Sequence, residues 1–155
     1  DISKGQRRVL RKNDDLDIKF SELKYRDEIY RLYEAHSQNR FGDKTDPELF
    51  KYTHFIASCP GIQAEYFLGE TLIAVGFLDI GGNSLSGVYF IYHPDYSKRS
   101  LGIFGALSEI KYAREMGKNY YYLGYQVEGN KMMDYKKQFI PFERLDWSSM
   151  TWQSE

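Results

Sequence analysis

The sequence is poor in cysteine: Cys59 is the only one among 155 residues. A single thiol cannot close a disulfide within the chain or supply a multi-cysteine metal site, and it fits a reducing compartment. The three histidines, His36, His54 and His93, lie on separate segments without a carboxylate or cysteine at metal-ligand spacing. We therefore expect no metal site, and assign these histidines to the polar surface or to hydrogen-bonded core positions.

Net charge and long apolar runs are also missing. The chain has 21 lysines and arginines against 22 aspartates and glutamates, so its overall charge does not indicate a nucleic-acid partner and any such surface must be local. No apolar stretch approaches the roughly 20 residues that a membrane span needs, and no secretory leader is visible. We expect a cytoplasmic protein with neither a membrane nor a DNA partner.

Positive charge is concentrated at the beginning of the chain. The first twelve residues contain five cations, and Asp1 is their only acid. Residues 3–13 predict a short helix or a basic arm within residues 1–15, with Ser3 as its N-cap. This segment could follow a phosphate backbone or be an ordinary solvated face; its cations are Lys4, Arg7, Arg8, Arg11 and Lys12.

Apolar periodicity predicts most of the remaining elements. A short strand at 17–20 precedes an amphipathic helix at 24–35, a polar loop at 36–47 and a helix at 47–57 that Asp46 caps. Three strands follow at 62–68, 71–80 and 85–92, separated by hairpin signals at 69–70 and 81–83.

The second half of the chain predicts a helix from about residue 100 to 116, closed by Gly117, with an apolar stripe of Ile103, Leu107 and Ile110. A strand at 120–127, a helix at 132–139 and a last strand at 142–146 complete the pattern. Together these elements predict a single α+β domain over residues 1–155, a mixed sheet flanked by helices that resembles the GNAT acyltransferases.

The segment Arg99-Ser100-Leu101-Gly102 resembles the phosphate loop of the GNAT enzymes. Backbone N–H groups at a helix start bind pyrophosphate oxygens, and glycine lets a phosphate approach closely. We expect Phe104, at the last position of the motif, to crowd a pyrophosphate and disfavour coenzyme A. In the alternative interpretation Gly102 merely eases helix packing.

Four short segments carry a more specific resemblance: Ser86-Gly87-Val88-Tyr89, Arg99-Ser100-Leu101-Gly102, Tyr122-Leu123-Gly124-Tyr125 and Met133-Asp134-Tyr135-Lys136. In this order they resemble the catalytic C-terminal domain of the arginyl-tRNA-protein transferases and their bacterial leucyl-transferring relatives. The family's cysteine-rich N-terminal domain is absent from these residues. The chain departs from the family pattern at His93, Gln126, Met132 and Ile140.

The resemblance implies a GNAT-like fold that uses neither acetyl-CoA nor another cofactor. The donor would be an aminoacyl-tRNA carrying Arg or Leu. The acceptor would be the N-terminal amine of a protein that begins with Asp or Glu, which the reaction marks for degradation in the N-degron pathway. An aminoacyl ester is already activated, and an α-amine has a pKa of about 8, so the protein must mainly orient the reactants and move a proton.

The resemblance also suggests roles for individual residues. Gln126 would orient the attacking amine, Asp134 or Asp95 could accept its proton, and Tyr125 is a third catalytic candidate. The residues implied in binding the acidic N-terminus and the tRNA end are Lys98, Arg99, Ser100, Gly102, Lys136, Tyr89, Tyr122 and Tyr135. Contacts to the tRNA backbone fall to Arg7, Arg8, Arg11 and Lys12.

Two other functions fit the same features. A coenzyme-A-dependent N-acetyltransferase would share the fold. A non-catalytic, degenerate transferase that binds tRNA or acidic N-termini would explain the departures from the family pattern.

Overall fold

The computed structural model describes residues 2–42, 44–56, 59–127, 129–131 and 133–154. Contacts within the chain divide it into two compact units, Ile2–Gly124 and Tyr125–Glu155. We call them the N-terminal and C-terminal units and describe each by itself. The single domain indicated by the sequence stays a prediction.

The N-terminal unit contains four α-helices, five strands and one 3-10 helix among its described residues. In chain order they are α1 (Lys4–Lys12), β1 (Leu16–Glu22), α2 (Asp27–Phe41), α3 (Pro47–Phe55), β2 (Gly61–Leu68), β3 (Thr71–Ile80), β4 (Ser84–Tyr92), the 3-10 helix Pro94–Arg99, α4 (Leu101–Glu115) and β5 (Tyr120–Tyr122). The C-terminal unit has a 3-10 helix (Asp134–Gln138) and a hairpin of β6 (Glu143–Asp146) and β7 (Thr151–Ser154).

The five strands of the N-terminal unit form one sheet in the order β1-β2-β3-β4-β5. The first four strands are antiparallel to their neighbours, whereas β5 returns through the crossover helix α4 and runs parallel to β4. The β4–β5 ladder is short: it joins Ser84, Leu85 and Ser86 to consecutive tyrosines of β5 and ends at the pair Ser86–Tyr122. The predicted mixed sheet flanked by helices is confirmed.

Helices cover both faces of this sheet. On one face α1 and α4 pack on a core that includes Tyr66, Leu85 and Phe104. On the other face α2 and α3 bury Ile29, Phe50 and other apolar side chains against β3 and β4. Because both faces are covered, β3 reads as a nearly continuous apolar run, whereas β2 also buries Gln63 and Glu65.

A β-bulge in β4 changes which face its side chains occupy. Phe77 of β3 pairs with Tyr89, but the adjacent Leu78 pairs with Gly87, so Val88 is an extra residue and is 54% exposed. Before the bulge Leu85 faces α4, and after it Phe90 does so. The one-residue shift thereby keeps apolar side chains on the α4 face along the whole strand.

The predicted loop at 36–47 is wrong over its first half, because α2 continues to Phe41. His36 explains the difference: its ring is buried, its Nδ1 lies 3.1 Å from the Tyr92 carbonyl oxygen, and the ring packs edge-on against Tyr92. The hydrogen-bonded core position considered for this histidine is confirmed. In α3 the predicted Asp46 cap is also confirmed, while residues 57 and 58 lie outside the described part of the chain.

Three predictions after residue 116 need correction. The strand predicted at 120–127 ends at Tyr122, and Gly124 has a φ of +76°, which breaks the extended conformation. The helix predicted at 132–139 is a 3-10 helix that begins at Asp134, with residue 132 outside the described residues. The sequence also missed β7, which pairs with β6.

The predicted apolar stripe of α4 is wrong as well. Ile103, Leu107 and Ile110 are only half-buried. The buried face is instead formed by Leu101, Phe104, Gly105, Ala106, Glu109 and Ala113. Small side chains on this face let the helix lie close to the sheet, which larger branched side chains would prevent.

A substitution at Gly105 tests the close approach of α4 to the sheet. A Cβ atom at Gly105 would lie 2.7 Å from Cζ of Phe90 and would overlap other atoms of that ring. We expect Gly105→Ala to lower the free energy of unfolding by about 1–3 kcal/mol in urea titrations, despite the better helix propensity of alanine. Gly82→Ala is the matched control, because a Cβ there meets nothing within 4 Å. Equal stability of the two variants would contradict the packing described here.

Candidate functional site

The start of α4 has an unusual backbone. Ser100 precedes the helix with φ 57° and ψ 44°, a left-handed conformation that non-glycine residues adopt at an energetic cost. Its side chain makes no capping hydrogen bond, and the first turn of α4 carries no acidic residue. The positive end of the helix dipole is therefore not neutralised locally, which favours an anionic ligand.

Gly102 and Phe104 leave the space in front of this turn open. A Cβ atom at Gly102 would meet nothing within 4 Å, so the interpretation that this glycine eases helix packing is wrong. Phe104 does not crowd the turn as expected. Its side chain is 5% exposed and lies in the core, with its ring 5.9 Å from the ring of Tyr66.

Side-chain contacts connect the segment before Ser100 to the end of α1. Arg99 forms a bidentate ion pair with Asp15, with distances of 2.8 Å from Nη1 to Oδ1 and 2.9 Å from Nη2 to Oδ2. The same hydrogen bonding with Arg99 lowers the pKa of Asp15. Asn13 is buried, and its side-chain amide donates to the carbonyl oxygen of Arg99 at 3.0 Å. These contacts hold the strained Ser100 conformation.

This arrangement bears on the roles predicted for Arg99 and Lys98. Arg99 can bind a substrate carboxylate only in competition with Asp15. Its role in substrate binding stays a prediction. The Lys12 ammonium donates to the carbonyl oxygen of Lys98. Both cations lie at the end of the 3-10 helix Pro94–Arg99, directly before Ser100 and the first turn of α4 with Gly102.

The predicted basic arm is a packed helix. Ser3 and Gln6 form a complete capping box at the start of α1, and Val9 and Leu10 pack on the core shared with α4. The four cations assigned to the tRNA backbone are all exposed: Arg7, Arg8, Arg11 and Lys12. Their role in tRNA binding stays a prediction.

The predicted aromatic residues of the N-terminal unit occupy different places. Tyr89 points to the face covered by α2 and α3, where its half-buried ring lies 5.5 Å from the ring of His54. Tyr122 is 40% exposed at the end of the β4–β5 ladder. The structure therefore separates Tyr89 from the face that carries α4.

The remaining predicted residues lie in the C-terminal unit. Lys136 donates through Nζ to the carbonyl oxygen of Tyr125 at 2.6 Å, and burial lowers its pKa. Asp134 pairs with Lys137 at 3.3 Å. Tyr135 is 38% exposed. Gln126 lies outside any strand, so its predicted place at a strand end is wrong, whereas its catalytic role stays a prediction.

Sequence reasoning missed Glu109, a carboxylic acid on the buried face of α4. The residue is 3% exposed, and the Tyr121 hydroxyl of β5 donates a hydrogen bond to its Oε2. Among the described residues its Oε1 has no hydrogen-bond partner of ordinary geometry, and no cation forms an ion pair with it. A buried carboxyl without a counter-charge favours its neutral form.

Two glycines of the sheet make room for this carboxyl. A Cβ atom at Gly76 of β3 would collide with Oε1 of Glu109. A Cβ atom at Gly87 of β4 would lie 3.4 Å from Oε2 and 2.5 Å from the Tyr121 hydroxyl. Neighbouring strands therefore lack side chains where α4 projects an acid.

Burial raises the pKa of Glu109 to about 7, although hydrogen bonding from Tyr121 and Tyr66 opposes the rise. The sequence contained a signal for this site. Residues 101, 104, 105, 109 and 113 share one face of a helix with 3.6 residues per turn, and Glu109 is the acid among them. A search for acids on that face would have found it.

Comparison with known proteins assigns the family. The family described as "Arginine-tRNA-protein transferase, C terminus" matches residues 28–146. The chain belongs to this family. The resemblance drawn from its short sequence segments is thereby confirmed.

Curated relatives within this transferase family are named aspartate/glutamate leucyltransferase. Those from Pseudoalteromonas atlantica and Aeromonas salmonicida are each 34% identical to this chain, over 92% and 99% of its length. The chain spans 63% and 67% of the length of these two relatives.

Solved structures confirm the GNAT fold. The ribosomal-protein-S18-alanine N-acetyltransferase from Escherichia coli matches with a TM-score of 0.61 at 12% identity, covering 83% of this chain and 79% of that one. The C-terminal domain of a lysylphosphatidylglycerol synthetase from Agrobacterium fabrum also has a TM-score of 0.61, at 14% identity, covering 88% and 46%. At such identities the likeness concerns the fold alone.

Two features are absent from the residues that the structure describes. Across that part of the chain, no helix is both long and apolar enough to cross a membrane. In the same residues, no three side chains of His, Cys, Asp or Glu come together as metal ligands.

The raised pKa of Glu109 predicts an effect of pH on stability. Between about pH 4.5 and pH 7 the folded chain retains a proton that the unfolded chain releases, so this group's contribution to stability falls as pH rises, by about 3 kcal/mol in total. We expect the unfolding free energy of Glu109→Gln, relative to the parent, to increase by about that amount between about pH 5 and pH 8 in urea titrations.

Glu70→Gln, which changes an exposed glutamate in the β2–β3 turn, is the matched control. If the unfolding free energies of Glu109→Gln and the parent differed by a constant amount over this pH range, this would contradict the conclusion that Glu109 is a buried, neutral carboxyl.

Proposed function

We propose that this chain is the catalytic part of an aminoacyl-tRNA-protein transferase. It transfers an amino acid from aminoacyl-tRNA to the N-terminal amine of proteins that begin with Asp or Glu. The family match over residues 28–146 carries this proposal. The names of the curated relatives favour leucine as the transferred residue and acidic N-termini as the acceptors. The product would be marked for degradation.

The geometry of the N-terminal unit supports a transfer site beside α4. The β4–β5 ladder ends at Ser86–Tyr122, and α4 begins, without a side-chain cap, directly after the 3-10 helix that follows β4. A phosphate or a polarised ester oxygen is stabilised by the unpaired N–H groups of a helix start. Gly102, which has open space in front of its Cα atom, lets such a group approach the backbone.

The reaction needs little besides positioning. The ester of an aminoacyl-tRNA is activated, and part of the acceptor amine, with a pKa of about 8, is neutral near pH 7. Holding two reactants in line can lower the activation free energy by several kcal/mol, because their translational and rotational entropy is already lost on binding. Polar groups fixed around the developing oxyanion contribute further stabilisation. No nucleophilic serine or cysteine is needed in this mechanism.

A coenzyme-A-dependent N-acetyltransferase is the second candidate, and one observation favours it. The inward side chain of Phe104 leaves the phosphate-binding turn open, so a pyrophosphate meets no obstacle there. Calorimetric titration with acetyl-CoA tests this candidate directly.

The transferase is tested with labelled Leu-tRNA and Arg-tRNA, each offered with peptides that begin with Asp, Glu or Ala. We expect label to appear on the Asp and Glu peptides from Leu-tRNA and not on the Ala peptide. Transfer from Arg-tRNA alone would change the donor assignment. Transfer from neither donor by a folded protein would overturn the proposal and favour a binding module.

The Gly102→Leu variant tests where the donor binds. Because a Cβ at Gly102 meets nothing, we expect the variant to unfold at the same urea concentration as the parent or a slightly higher one. Its side chain would fill the space before the turn and lower the transfer rate at least about 10-fold, a loss of about 1.4 kcal/mol of transition-state stabilisation.

Gly82→Ala is the control, since it also adds a side chain in open space but in the β3–β4 turn. We expect it to transfer at the parent's rate. If Gly102→Leu did the same, the start of α4 would not be the donor site.

A further inference from the structure

We propose that Tyr121 and Glu109 form a proton relay at the point where β4 and β5 separate, resting on the transferase function proposed above. The Tyr121 hydroxyl would exchange a proton with the acceptor amine, and Glu109 would act through Tyr121 as its positioning residue and proton reservoir. Neither residue was among those implied by the resemblance to the family.

The position of the pair carries the first step of the argument. Tyr121 pairs with Leu85, one position before the last pair of the β4–β5 ladder, Ser86–Tyr122. Its hydroxyl reaches the next residue of β4, since a Cβ atom at Gly87 would lie 2.5 Å from it. The hydroxyl therefore lies beside Gly87, one residue beyond the last residue of β4 that pairs with β5.

Accessibility separates the two groups. Tyr121 is only half-buried, whereas Glu109 is 3% exposed beneath it. Glu109 would thus exchange a proton with a reactant only through the phenol that donates to its Oε2. This is the arrangement of a relay, in which the outer group contacts the substrate and the inner one stores the proton.

The surroundings of the Glu109 carboxyl show that burying it there costs stability. The titratable groups that face it are Tyr66 of β2 and Tyr121 of β5, while β3 and β4 present Gly76 and Gly87. No lysine or arginine among the described residues forms an ion pair with it. An apolar side chain would be the stabilising choice at such a position, so the acid indicates a function rather than a contribution to stability.

The proton balance of the step is simple. The neutral amine attacks the ester carbon, and its nitrogen then loses one proton to the Tyr121 oxygen as the phenol passes its own proton to Oε2 of Glu109. When the carbon–oxygen bond of the ester breaks, the two protons move in reverse and the terminal ribose oxygen of the tRNA leaves as a hydroxyl. One amide forms, one ester breaks, and the enzyme regains its starting protonation state.

A carboxyl whose pKa is near 7 suits this task. An acid–base group works best when its pKa lies close to the working pH, because both of its forms are then populated. Burial raises the pKa of Glu109 to about 7 and so brings it into that range. An exposed glutamate, with a pKa of about 4.3, would be a weaker base and would accept the proton of the attacking amine less readily.

The test is the pH dependence of kcat for transfer from Leu-tRNA to an Asp peptide, measured with the 155-residue chain. We expect the parent to show an inflection near pH 7 that Glu109→Gln lacks. Both Glu109→Gln and Tyr121→Phe should lower kcat at least about 10-fold with KM changed less than about 2-fold, and the double variant should be no slower than the slower single variant.

Matched controls come from the same two elements. Tyr120→Phe removes an exposed hydroxyl from β5, and Glu115→Gln removes an exposed carboxyl from α4. Both should keep the parent's kcat and its inflection. Glu109→Asp, which retains an acid but shortens the reach, should keep a titrating limb while lowering kcat.

The outcomes separate the relay from the function on which it rests. Absence of transfer by the folded parent overturns both proposals. Transfer by the parent with an unchanged pH profile in Glu109→Gln, or with full kcat in Tyr121→Phe, overturns the relay alone. If Glu109→Gln does not fold, Tyr121→Phe decides the question, because it leaves the carboxyl in place.

Discussion

Hydrogen bonding between β4 and β5 ends at Ser86 and Tyr122, and α4 has to connect these two strands. A parallel pair requires a crossover, so the helix must lie against the face of the sheet at the place where the ladder is short. Its first turn follows the 3-10 helix after β4, and α4 packs against β4 and β5. Both halves of the proposed site, the open helix start and the buried acid, follow from that connection.

The same packing explains why the site contains glycine. Gly105 permits contact between α4 and Phe90, while Gly76 and Gly87 create space for the Glu109 carboxyl. Gly76 and Gly87 trade apolar contact for room around a polar group, which lowers stability. On the opposite side of the loop, the ion pair of Arg99 with Asp15 and the hydrogen bond from Asn13 stabilise the left-handed Ser100. The contacts that stabilise this region thus lie around the site rather than within it.

Much of the architecture could be predicted from the sequence, because long periodic segments and glycine turns are local signals. The three-strand meander and the Asp46 cap are examples. The extent of α2 could not be predicted, because its last turns are polar and depend on the tertiary contact between His36 and Tyr92. The buried face of α4 was misassigned for a similar reason, since small residues and an acid gave a weaker apolar signal than Ile103, Leu107 and Ile110.

The candidate site was predictable only in part. The loop from Lys98 to Gly102 was found from its resemblance to a phosphate-binding turn, and the structure shows why it stays open. The orientation of Phe104 was not predictable, because the sequence places it beside the loop whereas its side chain enters the core. Glu109 was overlooked although its place on the buried face of α4 gave a local signal, whereas only the fold brings Tyr121 to it at the end of the β4–β5 ladder.

Amide hydrogen exchange with a stable mimic of the aminoacyl-tRNA end tests the central claim that the donor binds at the start of α4 beside the strand opening. Leucine linked through an amide to the 3′ position of adenosine is a suitable probe, because it cannot be transferred. We expect it to slow exchange at residues 101–103 and at 86–88. Protection confined to the face covered by α2 and α3, or none at the start of α4, would contradict the account.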